Sequence, residues 1–475
     1  MYWLSGGQVV LNAAIWTVDA VAREAMLFAA TGLLIGGIDD VVVDLFFLRL
    51  RLHRRGRARR RFDDLPVPRD PGRLAVLIPA WDEAGVIGAM LATACARIDH
   101  DDYRLYVGLY PNDPATIDAA AAVAVDHPRV TLVIGDRAGP TTKADNLNRL
   151  WAAALRDEAR EGHPVKAIVL HDAEDVVHRD ELRVFDALID THDVVQLPVL
   201  PLIKRGARLV SGHYADEFAE QHSCQLPIRL ALGAAMPLAG TGCAIRRDMV
   251  AAIAAERGGG PFDETSLTED YELGLRIGER GGRAIFARVA ERGGTGALVA
   301  TRAYFPDTIP GATRQKARWM IGIALAGWDR TGWSAARRWS DHWMRMRDRR
   351  APMAVLVLAV AYVAVMAWGL RAALHWVTAT PLPRDRLATW LLAATTGLLL
   401  WRLAMRCACT ARCYGRREAL WAVPRFFVGN IIALIAAPRA LMRYAAMLRG
   451  APTVWDKTRH DFPADAPPPG ARAAT

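Results

Sequence analysis

Short apolar runs alternate with amphipathic segments through the middle of the chain. The apolar runs read as buried strands, and the segments between them read as helices. This alternation predicts strands at 74–79, 105–110, 130–134, 167–170 and 194–200, and helices at 86–97, 115–126 and from 143 onward. Strands that alternate with helices predict an α/β fold with a mostly parallel sheet of the nucleotide-binding type.

Residues 205–236 are predicted to be helical and to connect the halves of this domain. They lead to the glycine turn Gly240-Thr241-Gly242, which runs into another strand at Cys243. Two glycines here would either let the backbone approach a ligand closely or simply make a turn. The pattern leaves both interpretations open.

Longer apolar runs lie towards the two ends of the chain. Residues 25–48, 353–370 and 387–405 are each near the roughly 20 residues that cross a bilayer as a helix. Asp39, Asp40 and Asp44 interrupt the first run, and acids at that depth are costly unless they face protein or water. The apolar segment 426–438, about 13 residues, is too short to cross and predicts an interfacial or re-entrant helix.

These patterns divide the chain into consecutive segments. We expect a membrane segment at 1–48, a basic linker at 49–72, the α/β domain at 73–300, amphipathic interface helices at 301–350, two transmembrane helices at 351–406, an interfacial helix at 407–449 and a cytoplasmic tail at 450–475. The last residues of the tail, 464–475, are rich in Pro and Ala and are predicted to be disordered.

Composition and charge fit a membrane-bound protein better than a nucleic-acid-binding protein. Hydrophobic residues make up 52% of the chain although 23% is charged, so the apolar content is concentrated at the ends. The formal net charge of +10 comes largely from arginine clusters at 49–61 and 337–350. Their places beside the membrane segments predict cytoplasmic flanks near anionic lipids. No nucleic-acid partner is expected, since these residues are not interleaved with aromatics on a soluble domain.

The six cysteines are scattered and predict no disulfide framework. Cys407, Cys409 and Cys413 lack the CxxC pairs of structural zinc sites, and we interpret them as packing residues of an interfacial segment.

The strand at 167–170 is followed at once by His171-Asp172-Ala173-Glu174-Asp175. In open α/β sheets, ligands bind at the carboxyl ends of strands. Packed carboxylates repel one another unless a cation lies among them, and Mg²⁺ or Mn²⁺ commonly binds one or two carboxylates plus substrate phosphates. The motif predicts a metal–diphosphate site or, alternatively, an acidic turn that caps a helix beginning near 178–181.

A second acidic motif, Thr268-Glu269-Asp270, opens another predicted helix. Ser266 and Glu269 have the spacing of a capping box, in which the two side chains bond the first helical turn. Helix capping alone would therefore explain Glu269, but it explains Asp270 less well.

A third motif places Gln315, Arg318 and Trp319 on one face of a predicted helix, because they are spaced i, i+3 and i+4. Arginine can bind a diphosphate through two hydrogen bonds, and tryptophan offers a flat face to a sugar ring. An ordinary amphipathic helix at a membrane interface is the alternative, since both residue types are common there.

The order of these motifs resembles that of the membrane-embedded glycosyltransferase family 2, the group containing cellulose and hyaluronan synthases. The resemblance covers about residues 73–350. The acidic motif at 171–175 and the tail motif Trp-Asp-Lys-Thr-x-His-Asp-Phe-Pro at 455–463 resemble the bacteriophage N4 adsorption protein B branch of that family. The resemblance implies a GT-A fold and an inverting transferase that uses a nucleotide-diphospho-sugar, with a UDP-sugar favoured.

The resemblance also implies roles for individual residues. Asp172 and Glu174 occupy the family's Asp-x-Asp positions for Mg²⁺ or Mn²⁺, and Asp175 could substitute for Glu174. Asp270 occupies the place of the general base, with Glu269 beside it at the catalytic centre. The acceptor side is assigned to Thr268 and Trp319, and the donor side to Glu83, Asp113, Lys143, Asn148, Asp172, Gln315 and Arg318.

Two departures from the family pattern bear on these roles. Glu174 stands where the family has Asp, which leaves the preferred metal open. Tyr110-Pro111-Asn112-Asp113 stands where the family has Asp-Asp-Gly, so the assignment of Asp113 to the donor side is weaker.

For the whole protein, the resemblance implies a multi-pass protein of the bacterial inner membrane with a cytoplasmic catalytic domain. Its partners would be a nucleotide-sugar donor, a glycan or lipid-linked acceptor, membrane lipids, and an outer-membrane or periplasmic export partner. Three functions stay open: a processive exopolysaccharide synthase, a transferase that adds one sugar to a polyprenyl lipid, and a non-catalytic receptor or scaffold for phage adsorption or glycan export with a degenerate transferase domain.

Overall fold

The protein is described by a computed structural model that covers residues 6–53, 60–70, 72–293, 296–383, 385–453, 457–458 and 460–463. Several expectations lie partly or wholly outside these residues: the first membrane segment through 1–5, the basic linker through 54–59 and 71, the tail and its motif through 454–456 and 459, and the disordered end at 464–475.

A seven-stranded mixed sheet is the centre of the middle domain. The strands are β1 (Arg60–Arg61), β2 (Arg73–Pro79), β3 (Tyr103–Leu109), β4 (Val130–Ile134), β5 (Val165–Leu170), β6 (Val194–Gln196), β7 (Cys243–Arg246), β8 (Ala284–Phe286) and β9 (Val289–Ala290). The sheet order is β4-β3-β2-β5-β7-β6-β8, and β1 and β9 form a separate parallel pair. Only β7 runs antiparallel to its neighbours among the described strands, so the predicted mostly parallel sheet is confirmed.

The strand register places β3, β2 and β5, which lead into the predicted site loops, side by side. Val76 of β2 is opposite Leu105 of β3 on one side and opposite Val169 of β5 on the other. Because these strands are parallel, their carboxyl ends meet at one edge of the sheet, where ligands bind in such folds.

Helices cover both faces of the sheet and continue into the apolar ends of the chain. They are α1 (Gly6–His53), α2 (Ile87–Arg97), α3 (Pro114–Ala124), α4 (Lys143–Glu161), α5 (Glu181–Ile189), α6 (Arg208–Glu220), α7 (Leu226–Ala231), α8 (Arg247–Arg257), α9 (Glu269–Glu279), α10 (Ile309–Ala324), α11 (Ala326–Thr331), α12 (Trp339–Arg349), α13 (Ala351–Val377), α14 (Arg386–Tyr414) and α15 (Arg416–Leu448). A π-helical turn, Gln221–Gln225, joins α6 to α7, which agrees with the predicted helical connection.

The core lies on both faces of the sheet. One face packs against α2 and α5, represented by Met90 and Phe185, and the other packs against α4 and α9, represented by Trp151 and Leu273. Burial on both faces explains why β2 and β5 are apolar at nearly every position instead of alternating.

Within the described residues, four helices are long and apolar enough to cross a membrane: α1, α13, α14 and α15. The three predicted spans lie inside the first three of these helices. The acidic side chains of α1 face other parts of the protein, which avoids the free-energy cost of exposing a carboxylate to lipid. Asp39 and Asp40 pair with Arg347 and Arg350 near the start of α13, and Asp44 accepts a hydrogen bond of 2.9 Å from Nε1 of Trp401.

The last of these helices differs from expectation. Residues 426–438 belong to α15, which has 33 residues. The interfacial prediction assumed a helix too short to cross a membrane, and that assumption is wrong. Yet α15 packs along its length on the α/β domain: Arg425 pairs with Asp216 of α6, and Oη of Tyr444 donates a hydrogen bond of 2.5 Å to Asp329 of α11. Both ends of α15 therefore lie beside the same domain, and its interfacial position stays a prediction.

Candidate active site

A cavity of about 460 Å³ opens at the edge where β2 and β5 end. Eleven of the thirteen residues assigned to the site from sequence line it, although they come from five separate stretches of the chain. These residues are Glu83, Lys143, Asp172, Glu174, Asp175, Thr268, Glu269, Asp270, Gln315, Arg318 and Trp319.

The acidic loop after β5 is held by a buried network. The Asp175 carboxylate contacts Nδ1 of His171 at 2.9 Å and accepts hydrogen bonds from the Thr241 hydroxyl and from the backbone N–H of Asp172. Nε2 of His171 lies 2.5 Å from Oε1 of Glu181. Burial alone would lower the pKa of His171, but Glu181 and Asp175 outweigh it and raise the pKa to about 10. Asp175 is thus engaged in fixing the loop, which argues against the metal-ligand role assigned to it.

The alternative of an acidic helix cap is not supported. The following helix, α5, does begin near the expected place, at Glu181, but its N-cap residue Asp180 makes no side-chain capping bond. Asp172 and Glu174 face the cavity instead.

Lys143, the first residue of α4, links the two acidic motifs. Its Nζ donates a hydrogen bond of 2.5 Å to Oδ1 of Asp172 and lies 3.8 Å from Oε1 of Glu269. Burial alone would lower the pKa of Lys143, but Asp172, Glu269 and Asp270 outweigh it and hold the pKa above its usual range. An ammonium group therefore lies among carboxylates that would otherwise repel one another.

Glu269 and Asp270 are the first two residues of α9, where the helix dipole favours negative charge. The capping box is not formed: the Ser266 hydroxyl donates to Glu272 at 2.6 Å, and the Glu269 carboxylate faces Lys143. Burial raises the pKa of both Glu269 and Asp270, and Lys143 partly opposes this increase. A carboxylate whose pKa is raised towards neutrality is suited to accept a proton.

The glycine turn makes room for Asp270. Gly240 has a φ of +74°, and a Cβ atom placed on it would lie 2.5 Å from Oδ2 of Asp270. The sequence left open whether the glycines let the backbone approach a ligand or only form a turn. In the structure the backbone of Gly240 closely approaches a side chain of the site, that of Asp270.

The face of α10 that carries Gln315, Arg318 and Trp319 lines another side of the cavity. Nη2 of Arg318 donates a hydrogen bond of 2.7 Å to Oε1 of Gln315, while Nε of Arg318 is buried without a hydrogen-bond partner among the described residues. The Trp319 ring lies in an aromatic cluster, with centroids 5.9 Å from Tyr214 and 6.3 Å from Phe305. Oγ1 of Thr268, the residue just before α9, is likewise buried, with no hydrogen-bond partner in the part of the chain that the structure describes.

The tail also contributes side chains to the cavity, although its sequence motif predicted no role for it. His460 lines the cavity, and its Nδ1 lies 2.8 Å from Oε1 of Glu83 and 3.3 Å from Oε2 of Glu174. Lys457 donates to the backbone carbonyl groups of Trp81 and Asp82 and lies 3.0 Å from Oε1 of Glu83. No spacing rule connects positions so far apart in the chain; the unusual Lys-Thr-x-His sequence was the available signal.

Two residues assigned to the donor side do not line the cavity. Asp113 caps α3 by accepting from the backbone N–H of Thr116 at 3.3 Å and also accepts from that of Asp82 at 2.6 Å. The amide of Asn148 bonds both the N–H and the C=O of Phe262, each at 3.0 Å. Both side chains bond neighbouring backbone, and their assignment to the donor side stays a prediction.

The residues at the acidic end of the cavity suit a divalent cation. One ligand atom each from Glu83, Glu174 and His460 lie within 4.8 Å of one another. Burial, together with Asp172 and Glu83, raises the pKa of Glu174, and His460 opposes this increase. Burial makes the charged form of Glu174 costly, and a bound divalent cation would relieve that cost.

The chain is similar to several known proteins. Residues 71–322 match the family model described as glycosyltransferase like family 2. The chain is 34% identical over 481 aligned residues to bacteriophage adsorption protein B of Escherichia coli K12 and to bacteriophage N4 adsorption protein B of Escherichia coli O157:H7. Each alignment covers 94% of this chain and 64% of the relative, so the chain spans less than two thirds of their length.

Among solved structures, the mannosyltransferase PcManGT from Pyrobaculum calidifontis, in complex with GDP-Man and Mn²⁺, is similar with a TM-score of 0.51. The identity is 19%, and the match covers 90% of this chain and 99% of that one, which supports the fold alone. The expected GT-A fold is thereby confirmed, and the chain belongs to glycosyltransferase family 2.

Proposed function

We propose that this protein is a membrane-bound, metal-dependent, inverting glycosyltransferase that moves a sugar from a nucleotide-diphospho-sugar to a hydroxyl group of an acceptor. One observation carries the proposal: through Lys143, the acids that end β5 and the acids that begin α9 meet in one cavity. The residues from α10 line the same cavity, as a donor and an acceptor held side by side would require.

In this mechanism Asp270 accepts the proton of the acceptor hydroxyl. The oxygen then attacks the anomeric carbon of the donor, and the bond from that carbon to the diphosphate breaks. A single displacement inverts the anomeric centre and needs no enzyme nucleophile. Arg318 would bind the negative charge that gathers on the departing nucleoside diphosphate, since its Nε has no other partner in the described residues.

A divalent cation, Mg²⁺ or Mn²⁺, would neutralise part of that charge when bound. It would be held at the end of β5, where Asp172 and Glu174 line the cavity. Lys143 positions Asp172 and limits repulsion among the neighbouring acids.

The acceptor is proposed to approach from the membrane side. The cavity is also lined by Val43 of α1 and by Met344 and Arg347 of α12, close to the start of α13. A lipid-linked acceptor could therefore present its sugar to Trp319 while its lipid stays beside the membrane helices. A growing glycan would use the same route, so product length separates single transfer from polymer synthesis.

The test is to incubate the purified full chain in detergent with a panel of nucleotide sugars and to measure released nucleoside diphosphate. We expect release with Mg²⁺ or Mn²⁺ and loss of release in chelator or in Asp172→Ala. Binding of nucleoside diphosphate with no turnover of any donor would instead support a scaffold with a degenerate transferase domain. Turnover that persists in chelator would contradict the metal-dependent part of the proposal.

A further inference from the structure

The helical connection between α6 and α7 forms a wall of the cavity that the proposed mechanism does not use. Glu217 and Phe218, near the end of α6, line the cavity, and Gln221 and Gln225 of the π-helical turn follow them. Spacings of three or four residues place these side chains on one side of the connection. Because π-helical turns inside longer helices frequently occur at functional sites, this wall is a candidate for contact with a substrate.

An ion pair joins this wall to α10. The ammonium group of Lys316 pairs with the Glu217 carboxylate, and Nζ lies 5.2 Å from the ring centroids of both Tyr214 and Trp319. Both members of the pair line the cavity, where the side chain of Glu217 is 30% exposed and that of Lys316 is 18% exposed. The pair is therefore part of the cavity surface.

This pair is separate from the acids of the proposed transfer step. Lys143 pairs with the acids that follow β5 and begin α9, whereas Lys316 pairs with Glu217. Burial alone would raise the pKa of Glu217, but Lys316, His213 and Arg406 outweigh it and lower the pKa to about 2. Glu217 is thus suited to accept hydrogen bonds at neutral pH and not to act as a base.

The chemistry of this wall matches a neutral sugar. A carboxylate accepts hydrogen bonds and an ammonium group donates them, so the pair can bind two neighbouring hydroxyl groups of a pyranose ring. The side-chain amide of Gln221 can donate and accept. Phe218 and Trp319, whose ring centroids are 6.2 Å apart, offer apolar surface to the C–H groups of the ring. Because the two charges of the pair cancel, an anionic ligand gains little there.

We propose that Glu217, Gln221 and Lys316 bind a neutral sugar unit of a glycan acceptor, next to the unit that receives the new bond. The receiving hydroxyl has to lie within about 3 Å of Asp270. Asp270 belongs to the acid cluster that Lys143 joins, so the wall contacts a different part of the acceptor. The acceptor then carries at least two sugar units. Its role as an acceptor rests on the proposed function, whereas sugar binding at this wall does not.

The first experiment measures sugar binding by calorimetry with the purified full chain in detergent. The probes are the neutral disaccharides cellobiose and chitobiose, their monosaccharides glucose and N-acetylglucosamine, and glucuronic acid as an anionic probe. We expect at least one disaccharide to bind at least about tenfold more tightly than its monosaccharide. Glu217→Gln should remove this preference, because a neutral amide replaces a charged hydrogen-bond acceptor.

A second variant covers the case in which Glu217→Gln loosens the contact between α6 and α10. Gln221 is exposed, so Gln221→Ala should keep the fold and lower disaccharide affinity by a smaller factor. The control is Glu256→Gln on α8, whose side chain is 60% exposed, and it should bind like the wild type. The inference is overturned by a wild type without a disaccharide preference, by wild-type affinity in both variants, or by tighter binding of glucuronic acid than of every neutral probe.

Transfer kinetics separate this inference from the proposed function. If a donor is turned over, both variants should raise KM for a disaccharide acceptor and leave KM for the nucleotide sugar unchanged. Turnover with an unchanged acceptor KM in both variants would defeat this inference alone. Disaccharide binding that is weakened in both variants, without turnover of any donor, would defeat the proposed function alone.

Discussion

Nζ of Lys143 donates a hydrogen bond of 2.5 Å to Oδ1 of Asp172 while lying 3.8 Å from Oε1 of Glu269. One buried ammonium group thus joins the acids that follow β5 to the acids that begin α9. This relationship places a candidate base, Asp270, in the same cavity as the candidate metal-binding loop.

Asp270→Asn should abolish sugar transfer, by about 10²–10⁴-fold, while nucleoside diphosphate still binds. The amide has nearly the same shape as the carboxyl group but cannot accept the acceptor's proton. Transfer is measured as released nucleoside diphosphate, and binding by calorimetry. The matched control is Asp248→Asn, whose side chain is 81% exposed. Wild-type turnover in Asp270→Asn would remove this residue as the base.

Gly240→Ala should reduce transfer by displacing the Asp270 carboxylate. Gly258→Ala is a close control, because both glycines have a φ of +74° and so carry a similar backbone penalty. A Cβ atom at Gly240 meets Oδ2 of Asp270 at 2.5 Å, whereas one at Gly258 meets nothing within 4 Å. Equal loss of activity in the two variants would show that backbone strain, and not the contact with Asp270, is responsible.

The rate of transfer should fall as pH decreases through the raised pKa of Asp270, because a protonated base accepts no proton. Burial raises this pKa, and Lys143 opposes the increase. Lys143→Met should therefore raise the pKa further and move the acidic limb of kcat/KM to higher pH. Lys143→Arg keeps the charge and should leave the limb near its wild-type position. A shift to lower pH in Lys143→Met would contradict the assignment.

Asn148→Ala should destabilise the fold by about 1–3 kcal/mol without a specific increase in KM for the donor. Its amide bonds both backbone groups of Phe262, which would be left without partners. Thermal unfolding and donor kinetics are measured together. A large rise in KM with unchanged stability would restore the donor-side role assigned from sequence.

The double variant Asp39→Asn with Asp40→Asn should lower the temperature of unfolding in detergent. Arg347 and Arg350 would lose their anionic partners at the junction of α1 with α13, and unpaired charges in a part-buried site are costly. Glu24→Gln on the same helix is the control, since that side chain is 69% exposed. Equal unfolding temperatures in both proteins would show that this ion-pair network does not hold the helices together.

Much of the fold could be read from local pattern. The strand at 130–134 is found as predicted, because a short apolar run bounded by polar turns has few other stable uses. The short strand β8 was missed, since three residues carry no usable period. The length of α15 was also missed: the apolar segment 426–438 belongs to a helix of 33 residues that accommodates both Pro424 and Pro438.

Part of the candidate site could also be predicted from local sequence pattern. Asp172 and Asp270 were found because each opens or closes a regular element and belongs to a motif with fixed spacing. Asn148 and Asp113 belong to similar motifs, yet their side chains bond neighbouring backbone, and only the packing of the loops reveals this.

The sequence by itself determined the α/β domain, the apolar helices around it and eleven of the residues that line the cavity, because periodicity and motif spacing are local properties. Only the tertiary structure decided which acids lie together in the cavity, that Lys143 lies between two motifs, and that His460 reaches Glu83 from a distant part of the chain. Those relationships depend on distances in space between residues far apart in sequence, and these distances are set by how the strands and helices pack.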